Sequence, residues 1–412
     1  MQRFKKVSVL SSILTILLMA QTALAQNWTS STYGYLPWTG LAVTADGKTI
    51  YAALTNGPLF FSTNSGATWS VNHWTNYYYT TGLSCAPNGK VVAAVTGHFS
   101  PGKIFVSTDY GVTWPATTAP LLDWTSISCS ADGRKLVAAA MNGAVYISND
   151  TGQTWTPHSP SGTKWVSVTS SGDGNQLAVA STNGTLAVSV DGGINWTTNN
   201  SPNSANVTYL AAQGIRPMLV NSAPQTNWSA VACSADKSRL VAVVGGGPIY
   251  YSGDAGSSWT ASLAPIANWQ AVACSADGTR MIAAIKNGAV YTSADAGATW
   301  VSNNIPNAVW VSVASSADGS QLAAAGLVQG AYHVYTSYSP PSPKLNFTAV
   351  SNLVNLSWTV PGTNFVLQQS LGMNPAGWMS LTDAPTLNLS NLQYQLSFSP
   401  TNASGFFRLS TP

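Results

Sequence analysis

Short runs in which apolar and polar residues alternate recur along residues 38–338, and tight turns separate them. In residues 124–155, WTSISCSADGRKLVAAAMNGAVYISNDTGQTW, the first run ends at an Asp-Gly turn, the second at an Asn-Gly turn and the third at SNDTGQTW. Alternation with a period of two places side chains on the two faces of a strand, and these dipeptides favour antiparallel hairpins. The pattern therefore predicts a unit of four short strands, the last of which follows the motif turn.

This four-strand unit is repeated along the chain. Six units open with a tryptophan that is followed eight residues later by an aspartate: Trp38 and Asp46, Trp124 and Asp132, Trp165 and Asp173, Trp228 and Asp236, Trp269 and Asp277, Trp310 and Asp318. One further unit has Thr80 and Asn88 at these two positions. Four strands every 41 or so residues is the period of a β-propeller blade. The fold class is therefore predicted as all-β, with a seven-bladed β-propeller.

The two ends of the repeat array are predicted to meet. The segment NWTSST at residues 27–32 resembles the fourth strands NWTTNN and TWVSNN, whereas the seventh unit lacks a fourth strand of its own. We therefore expect residues 26–32 to pair with the strand around residues 331–337 and to close the seventh blade.

The chain ends outside the array have a different composition. Residues 1–25 combine a basic start, a short apolar run and Ala-Leu-Ala, which is typical of a signal peptide. The propeller is assigned to residues 26–338, a Pro-rich linker to residues 339–344 and a small β-sandwich to residues 345–412. Because such a leader directs export, we expect a secreted, periplasmic or cell-surface protein. No later segment has 18 uninterrupted apolar residues, so we expect no membrane span.

An eight-residue motif, S-x-D-x-G-x-x-W, ends five of the units, and a sixth copy has asparagine at the acid position. The residues at that position are Asn64, Asp109, Asp150, Asp191, Asp254 and Asp295. The motif resembles the Asp-box, or BNR repeat, of a superfamily that includes bacterial sialidases, sortilin-like receptors and photosystem II assembly factors. The C-terminal segment resembles short sandwich modules of secreted bacterial proteins. Because Asp accepts hydrogen bonds from turn amides and Gly adopts turn conformations, we interpret the motif as structural.

Few acidic residues are available to act as catalytic carboxylates. All 13 are aspartates; six lie in the first hairpin turns and five in the motifs, which leaves Asp123 and Asp383. A glycosidase normally requires two carboxylates around one bond. The sialidase resemblance would also imply an arginine triad, yet Arg216 alone lies outside the hairpin turns of the propeller. We therefore favour a non-catalytic protein, while a glycoside hydrolase with an atypical active site remains the alternative.

Charge and metal-ligand spacing restrict the partners. Without the three basic residues of the leader, 13 Lys and Arg balance 13 Asp, so the mature chain is neutral and nucleic acid is not expected as a partner. The four histidines are scattered, and neither a metal nor a cofactor is predicted. Cys85, Cys129, Cys233 and Cys274 occupy one repeat position and are expected to be buried free thiols.

Two departures from the repeat suggest a ligand-binding surface. One carries the aromatic and imidazole side chains of His73, Trp74, Tyr77, Tyr78 and Tyr79; the other is an insertion between the fourth and fifth units that carries Tyr209 and Arg216. Aromatic rings suit sugar stacking, and Arg216 could bind a carboxylate. Alternatively, Tyr77–Tyr79 begin an inner strand. Asp123 and Lys164 precede inner strands and are candidates for the same rim, unless both are merely solvated. The leading hypothesis is a monomeric binding or scaffold module for a glycan (polysaccharide) or another extracellular protein.

Overall fold

We describe the protein from a computed structural model. The described residues are 37–339, except for 56, 73–78, 98–100, 159, 161–163, 199–222, 225 and 237, together with the strand Trp28–Thr32, two strands within residues 5–16, and the strands within residues 346–410. The described elements are all β-strands. No helix that could cross a membrane occurs in this part of the chain. Two compact units are present, residues 25–339 and residues 1–24 with 340–412, and each is described separately.

The strands described along residues 38–338 form successive antiparallel sheets, which we number sheets 1 to 7 in chain order. Sheet 1 comprises Trp38–Val43, Ile50–Leu54, Leu59–Ser62 and Ser70–Asn72; sheet 2 comprises Thr80–Cys85, Val92–Thr96 and Ile104–Ser107; sheet 3 comprises Trp124–Cys129, Leu136–Ala140, Val145–Ser148 and Thr156–Pro157; sheet 4 comprises Trp165–Ser170, Leu177–Ser181, Leu186–Ser189 and Thr197–Thr198. In sheet 2, an isolated bridge between Phe105 and Ala116 stands in the place of a fourth strand.

The remaining sheets follow the same order of strands. Sheet 5 comprises Trp228–Cys233, Leu240–Gly247, Ile249–Ser252 and Thr260–Ala261; sheet 6 comprises Ala267–Cys274, Met281–Ile285, Val290–Ser293 and Val301–Ser302; sheet 7 comprises Val309–Ser315, Gln321–Val328, Ala331–Tyr338 and Trp28–Thr32. In sheet 7, Trp28 lies opposite Ser337 and Thr32 lies opposite His333. The predicted pairing of the N-terminal segment with the last strand of the array is therefore confirmed for residues 28–32.

The first strand of each sheet, which we call its inner strand, lies beside the inner strand of the next sheet. The inner strand of sheet 7 in turn lies beside that of sheet 1, so these contacts form a closed circle. The six opening tryptophans are fully buried, and in each of their sheets except sheet 4 the tryptophan packs edge-on against an aromatic ring of the third strand. In sheet 3, for example, the ring centroids of Trp124 and Tyr146 are 5.6 Å apart. The large apolar side chains of the repeat thus fill the layers between neighbouring sheets.

A second circle of contacts runs through the backbone of the first hairpin turns. The N–H of the residue before the turn aspartate donates to the carbonyl of the equivalent residue in the next sheet. The bonds are Ala45 to Pro87, Ala131 to Gly172, Gly172 to Ala235, Ala235 to Ala276, Ala276 to Ala317, and Ala317 to Ala45. Sheet 2 has Pro87 at this position, and proline has no N–H to donate to sheet 3. The circle is therefore interrupted between sheets 2 and 3.

The second compact unit contains two C-terminal sheets and a hairpin. Four strands form one sheet in the order Asn346–Val350, Leu353–Thr359, Gln393–Phe398 and Thr386–Asn388; three form the other in the order Met379–Ser380, Val366–Ser370 and Phe406–Ser410. Lys5–Val9 pairs with Ser12–Ile16. The predicted signal peptide overlaps this hairpin, and its cleavage site lies outside the described residues.

Candidate functional site

The two ends of the inner strands differ in chemistry. We call the end where the inner strands begin, at the opening tryptophans, the tryptophan end, and the end with the first hairpin turns the aspartate end. The eight-residue motifs lie at the aspartate end, because each is hydrogen-bonded to the first hairpin of its own sheet. In sheet 3 the N–H of Thr151 donates to the carbonyl of Arg134 at 2.8 Å. Asp109, Asp150, Asp191, Asp254, Asp295 and Asn64 are therefore remote from the tryptophan end.

Hydrogen bonds within the motif turn occupy its carboxylate. Ser148 Oγ donates to Asp150 Oδ1 at 2.7 Å, and the N–H of Thr154 donates to the same oxygen at 2.9 Å. The Thr154 hydroxyl donates to Oδ2, and Trp155 Nε1 donates to the carbonyl of Gly152. The hydrogen bond from the Thr154 side chain is the main cause that lowers the pKa of Asp150 to about 2. Asp150 is thus an acceptor that fixes a turn.

Asn64 reproduces most of this arrangement in the sixth copy. Its Oδ1 accepts hydrogen bonds from Ser62 Oγ at 2.9 Å and from the N–H of Thr68 at 2.8 Å. Its Nδ2 donates to the Thr68 hydroxyl, which reverses the direction of the bond that an aspartate would accept there. An amide therefore fits the turn, although it does not supply a negative charge.

The motif glycine also joins neighbouring sheets. A Cβ atom added to Gly193 would lie 2.2 Å from Ile147 Cδ1, which belongs to the third strand of the preceding sheet. The residue has φ +87°, in the left-handed region that other residues rarely adopt. The backbone conformation therefore favours glycine at this position, and a larger residue would also have to displace the terminal methyl group of Ile147.

At the tryptophan end, the seven inner strands surround a cavity of about 490 Å³, which we call the tryptophan-end cavity. Its walls are formed by the first residues of the inner strands, among them Thr39, Thr125 and Gln270, and by apolar side chains such as Ile127 and Val272. Among the described residues that line it, none carries a charge. The cavity thus offers an uncharged surface with hydroxyl and amide groups.

Exposed apolar side chains lie shortly before the opening tryptophans, or before Thr80 in sheet 2, at the same end. Tyr79, directly before the inner strand of sheet 2, is 37% exposed and lines the cavity. Leu121 and Ile266 are 57% and 78% exposed and hold equivalent positions, each three residues before an opening tryptophan. Val309, directly before Trp310, is also exposed. We call these four side chains the apolar rim; they offer apolar surface that a partner could bury.

Charge is distributed unequally between the two ends. In the described residues, the tryptophan end carries Lys103, Lys164 and Lys286 against Asp123. Eleven aspartates lie at the aspartate end, where six described basic residues accompany them: Lys48, Lys90, Arg134, Lys135, Arg239 and Arg280. Among the described residues of the array, the tryptophan end is therefore positive and the aspartate end negative.

A second cavity, of about 270 Å³, lies towards the aspartate end and is lined in part by Cys85, Cys233 and Cys274. All four cysteines are free, as expected, but they are half-buried rather than buried. Burial nonetheless raises the pKa of Cys129 to about 11 and that of Cys233 to about 12. The thiols are therefore protonated at neutral pH.

The candidate residues predicted from the sequence are only partly described. His73, Trp74, Tyr77, Tyr78, Tyr209 and Arg216 lie outside the described residues. The inner strand of sheet 2 is described from Thr80, and the carbonyl of Tyr79 directly before it accepts a hydrogen bond from the N–H of Gly97 at 3.0 Å. The alternative in which Tyr77–Tyr79 begin this strand stays a prediction, since Tyr77 and Tyr78 lie outside the described residues.

Asp123 and Lys164 are connected through the backbone. The N–H of Met141 donates to the carbonyl of Asp123 at 2.9 Å, and the N–H of Lys164 donates to that of Met141 at 3.1 Å. Lys164 is exposed, with φ +58°. Neither residue lines the tryptophan-end cavity. Gln270 and the apolar rim residues other than Tyr79 were missed as candidates, because the repeat pattern alone marks them as ordinary strand and loop positions.

The fold is similar to that of solved β-propellers. No family model and no curated protein matches the chain. A structure titled YCF48 bound to D1 peptide is 17% identical, has a TM-score of 0.54, and matches over 76% of this chain and 94% of that one. YCF48 from Cyanidioschyzon merolae is 14% identical, with a TM-score of 0.56 over 76% of this chain and 99% of that one. At such low identity the similarity shows the fold alone, which is a β-propeller.

Proposed function

We propose that this protein is a secreted, non-catalytic β-propeller that binds a segment of another exported protein at its tryptophan end. One observation carries the proposal: the tryptophan-end cavity, where inner strands from all seven sheets meet around an uncharged space of about 490 Å³. At this place residues of many sheets can contact one ligand together.

The proposal includes an architecture. Sheets 1 to 7 are the blades of one closed propeller, which is supported by the circle of contacts between their inner strands. The eight-residue motifs are Asp-boxes, since their hydrogen bonds and glycine contacts serve the turns and the packing between sheets. The two C-terminal sheets form a β-sandwich module, and residues 1–25 direct export.

The chemistry of the tryptophan end favours a peptide over a glycan. The apolar rim presents the aliphatic side chains of Leu121, Ile266 and Val309 beside the ring of Tyr79, and such groups suit the apolar side chains of a peptide. Among the described residues, the surrounding charge at this end is positive. We therefore propose a partner segment with apolar side chains and a net negative charge. The YCF48 structure with its D1 peptide is a precedent for peptide binding by a similar fold.

The same wall supports a non-catalytic role. Among its described residues there is no carboxylate or imidazole that could act as a general acid or base. Asp123 lies outside this wall, and the other propeller aspartates lie at the aspartate end. The glycosidase alternative would require groups beyond the described residues.

The test is selection of a phage-displayed random 12-residue peptide library on the mature protein. Enriched peptides are synthesised and titrated against Leu121→Ser/Ile266→Ser, which removes two apolar rim side chains. Val112→Ser/Ile194→Ser is the matched control, because these side chains are 69% and 73% exposed in motif turns at the aspartate end. We expect the rim variant to bind at least tenfold more weakly and the control to bind as the wild type does.

Failure to enrich any peptide, or equal binding by both variants, would contradict the proposal. A glycan array and a panel of glycosidase substrates run beside the selection identify the alternatives. Binding of a glycan without a peptide would favour a lectin, and turnover of a substrate would favour the enzyme.

A further inference from the structure

One position of the repeat forms a level of the tryptophan-end cavity. It is the residue directly after each opening tryptophan, or after Thr80 in sheet 2, and all seven of these residues line the cavity. Three are threonines whose hydroxyl groups donate to backbone carbonyls. Thr81 Oγ1 donates to the carbonyl of Trp124 at 2.6 Å, and Thr125 Oγ1 donates to that of Trp165 at 2.8 Å. Thr39 Oγ1 donates to the carbonyl of Ala53. These threonine hydroxyl groups therefore already donate hydrogen bonds within the protein.

The serine hydroxyls at the next level of the cavity wall also form hydrogen bonds within the protein, in this case as acceptors. Ser126 Oγ accepts a hydrogen bond from the N–H of Val168 at 3.1 Å, and Ser167 Oγ accepts one from the N–H of Val231 at 3.1 Å. Ser312 Oγ accepts one from the N–H of Leu41. These hydroxyls join the inner strands of neighbouring sheets, so their main role is to hold the wall together.

Gln270 differs from all of these residues. It belongs to the first level, where its neighbours in the adjacent sheets are Ser229 and Val311. It is half-buried, and its carboxamide makes no hydrogen bond to any described residue. A carboxamide has two N–H donors and an acceptor oxygen, the largest hydrogen-bonding capacity of any side chain described in this wall.

The backbone directly before Gln270 is paired to two sheets, and Gln270 itself lies at a bulge between Trp269 and Ala271. The second strand of sheet 5 extends beyond its equivalents and pairs with the inner strand of sheet 6, with Gly245 opposite Asn268 and Gly247 opposite Ala267. This pairing joins sheets 5 and 6 at the tryptophan end and immediately precedes Trp269, which is fully buried. The strand that carries Gln270 is thus anchored directly before the bulge, and bulges commonly re-aim a side chain next to a functional site.

We infer that Gln270 anchors the inserted peptide by pairing with the backbone of one of its residues, its carboxamide oxygen accepting the N–H of that residue and its NH₂ group donating to the C=O of the same residue. This inference rests on the proposed peptide-binding function. It assigns the ligand an extended stretch, in which the N–H and C=O of one residue point to the same side. In an uncharged cavity these two groups need a partner, because a buried backbone donor or acceptor without one is costly.

The test is a backbone ester scan of the peptide enriched on the wild-type protein. Replacing one N–H by an ester oxygen removes one donor and preserves the side chain. We expect one ester position to weaken binding to the wild type at least fivefold. Gln270→Met, which preserves the volume of the side chain, should weaken binding of the all-amide peptide at least tenfold and abolish the extra effect of that ester.

Gln153→Met is the matched control, because Gln153 is exposed in a motif turn at the aspartate end. It should bind as the wild type does. Melting temperatures verify that both variants are folded, and the ester scan of the wild type does not depend on any variant. If the peptide binds Gln270→Met within twofold of the wild type, or if no ester is coupled to Gln270, the inference is overturned although peptide binding stands. If the library yields no peptide, the proposed function itself fails.

Discussion

The backbone N–H of Ala317 donates to the carbonyl of Ala45 at 3.2 Å and so joins the last sheet of the array to the first. The two residues are far apart in the sequence, and each lies directly before the aspartate of a first hairpin turn. The same bond links five other pairs of neighbouring sheets among the described residues. Closure at the aspartate end therefore depends on backbone geometry rather than on particular side chains.

The backbone circle predicts a specific effect of proline. Ala276→Pro removes the N–H that donates to Ala317 at 2.7 Å, and the carbonyl of Ala317 loses its partner from sheet 6. The conformation at this position accepts proline, since Pro87 occupies the equivalent place in sheet 2. We expect a loss of about 1–3 kcal/mol in the free energy of unfolding, measured by urea denaturation. Pro87→Ala is the reverse control, and it should not destabilise the protein comparably. An Ala276→Pro variant as stable as the wild type would contradict a stabilising role of the circle.

Replacing the motif glycine by alanine should destabilise the protein more than the same replacement at a glycine with similar backbone angles and no close neighbour. Gly193 and Gly246 have φ values of +87° and +85°, but only an added Cβ at Gly193 would meet a neighbour, Ile147. Gly246→Ala should cost about 1–2 kcal/mol for the left-handed backbone alone. Gly193→Ala should cost about 1–3 kcal/mol more, because the methyl group displaces Ile147. Thermal and urea denaturation of the two variants measure the difference. Equal losses of stability in the two variants would mean that Ile147 moves aside at no cost in free energy.

Acid stability tests the role of the motif aspartates. Hydrogen bonds from Thr113 and Thr154 lower the pKa values of Asp109 and Asp150 to about 2, from an ordinary value of 3.8. Groups with a lowered pKa stabilise the folded state above pH 3.8, and this stabilisation is lost as the pH falls towards 2. Asp150→Asn should therefore be less stable at pH 7, by about 0.5–2 kcal/mol, and should lose less stability than the wild type between pH 4 and 2. Its affinity for a selected peptide should not change.

Asn64→Asp provides the reverse control for this pH dependence. It introduces the carboxylate that the other five motifs carry, so it should stabilise the protein at neutral pH and increase the loss in acid. Urea midpoints at pH 7, 4 and 2.5 measure both variants. If Asp150→Asn lost peptide affinity while remaining folded, the scaffold role of the motif would be wrong.

The cysteines should be unreactive in the folded protein. Burial raises the pKa of Cys129 to about 11 and that of Cys233 to about 12, so thiolate is scarce at pH 8. We expect iodoacetamide to modify all four thiols at least about a hundredfold more slowly in the native protein than in urea, as measured by mass spectrometry. Rapid labelling of Cys233 in the native state would show that the smaller cavity is open to solvent.

Much of the architecture could be predicted from the sequence because it depends on local pattern. Alternating residues and Asp-Gly turns specify strands and hairpins within one unit, and the recurrence of the opening tryptophans specifies how many units follow. The likeness of residues 27–32 to known fourth strands predicted the pairing that Trp28 and Ser337 make. The residue types of the motif also predicted that its carboxylates would serve their own turns.

The sequence by itself therefore determined the strands, their repetition and the partner of the N-terminal segment, because hydrogen bonds within a unit follow from neighbouring residues. Only the tertiary structure decided which atoms of different units meet. Three features arise where sheets adjoin or surround the cavity: the missing donor at Pro87, the approach of Gly193 to Ile147, and the carboxamide of Gln270, which makes no hydrogen bond to a described residue. A repeat pattern treats Gln270 like Thr125, since both follow an opening tryptophan. What separates them is whether a carbonyl of the next sheet lies within reach of the side chain, and that distance is set by packing between units.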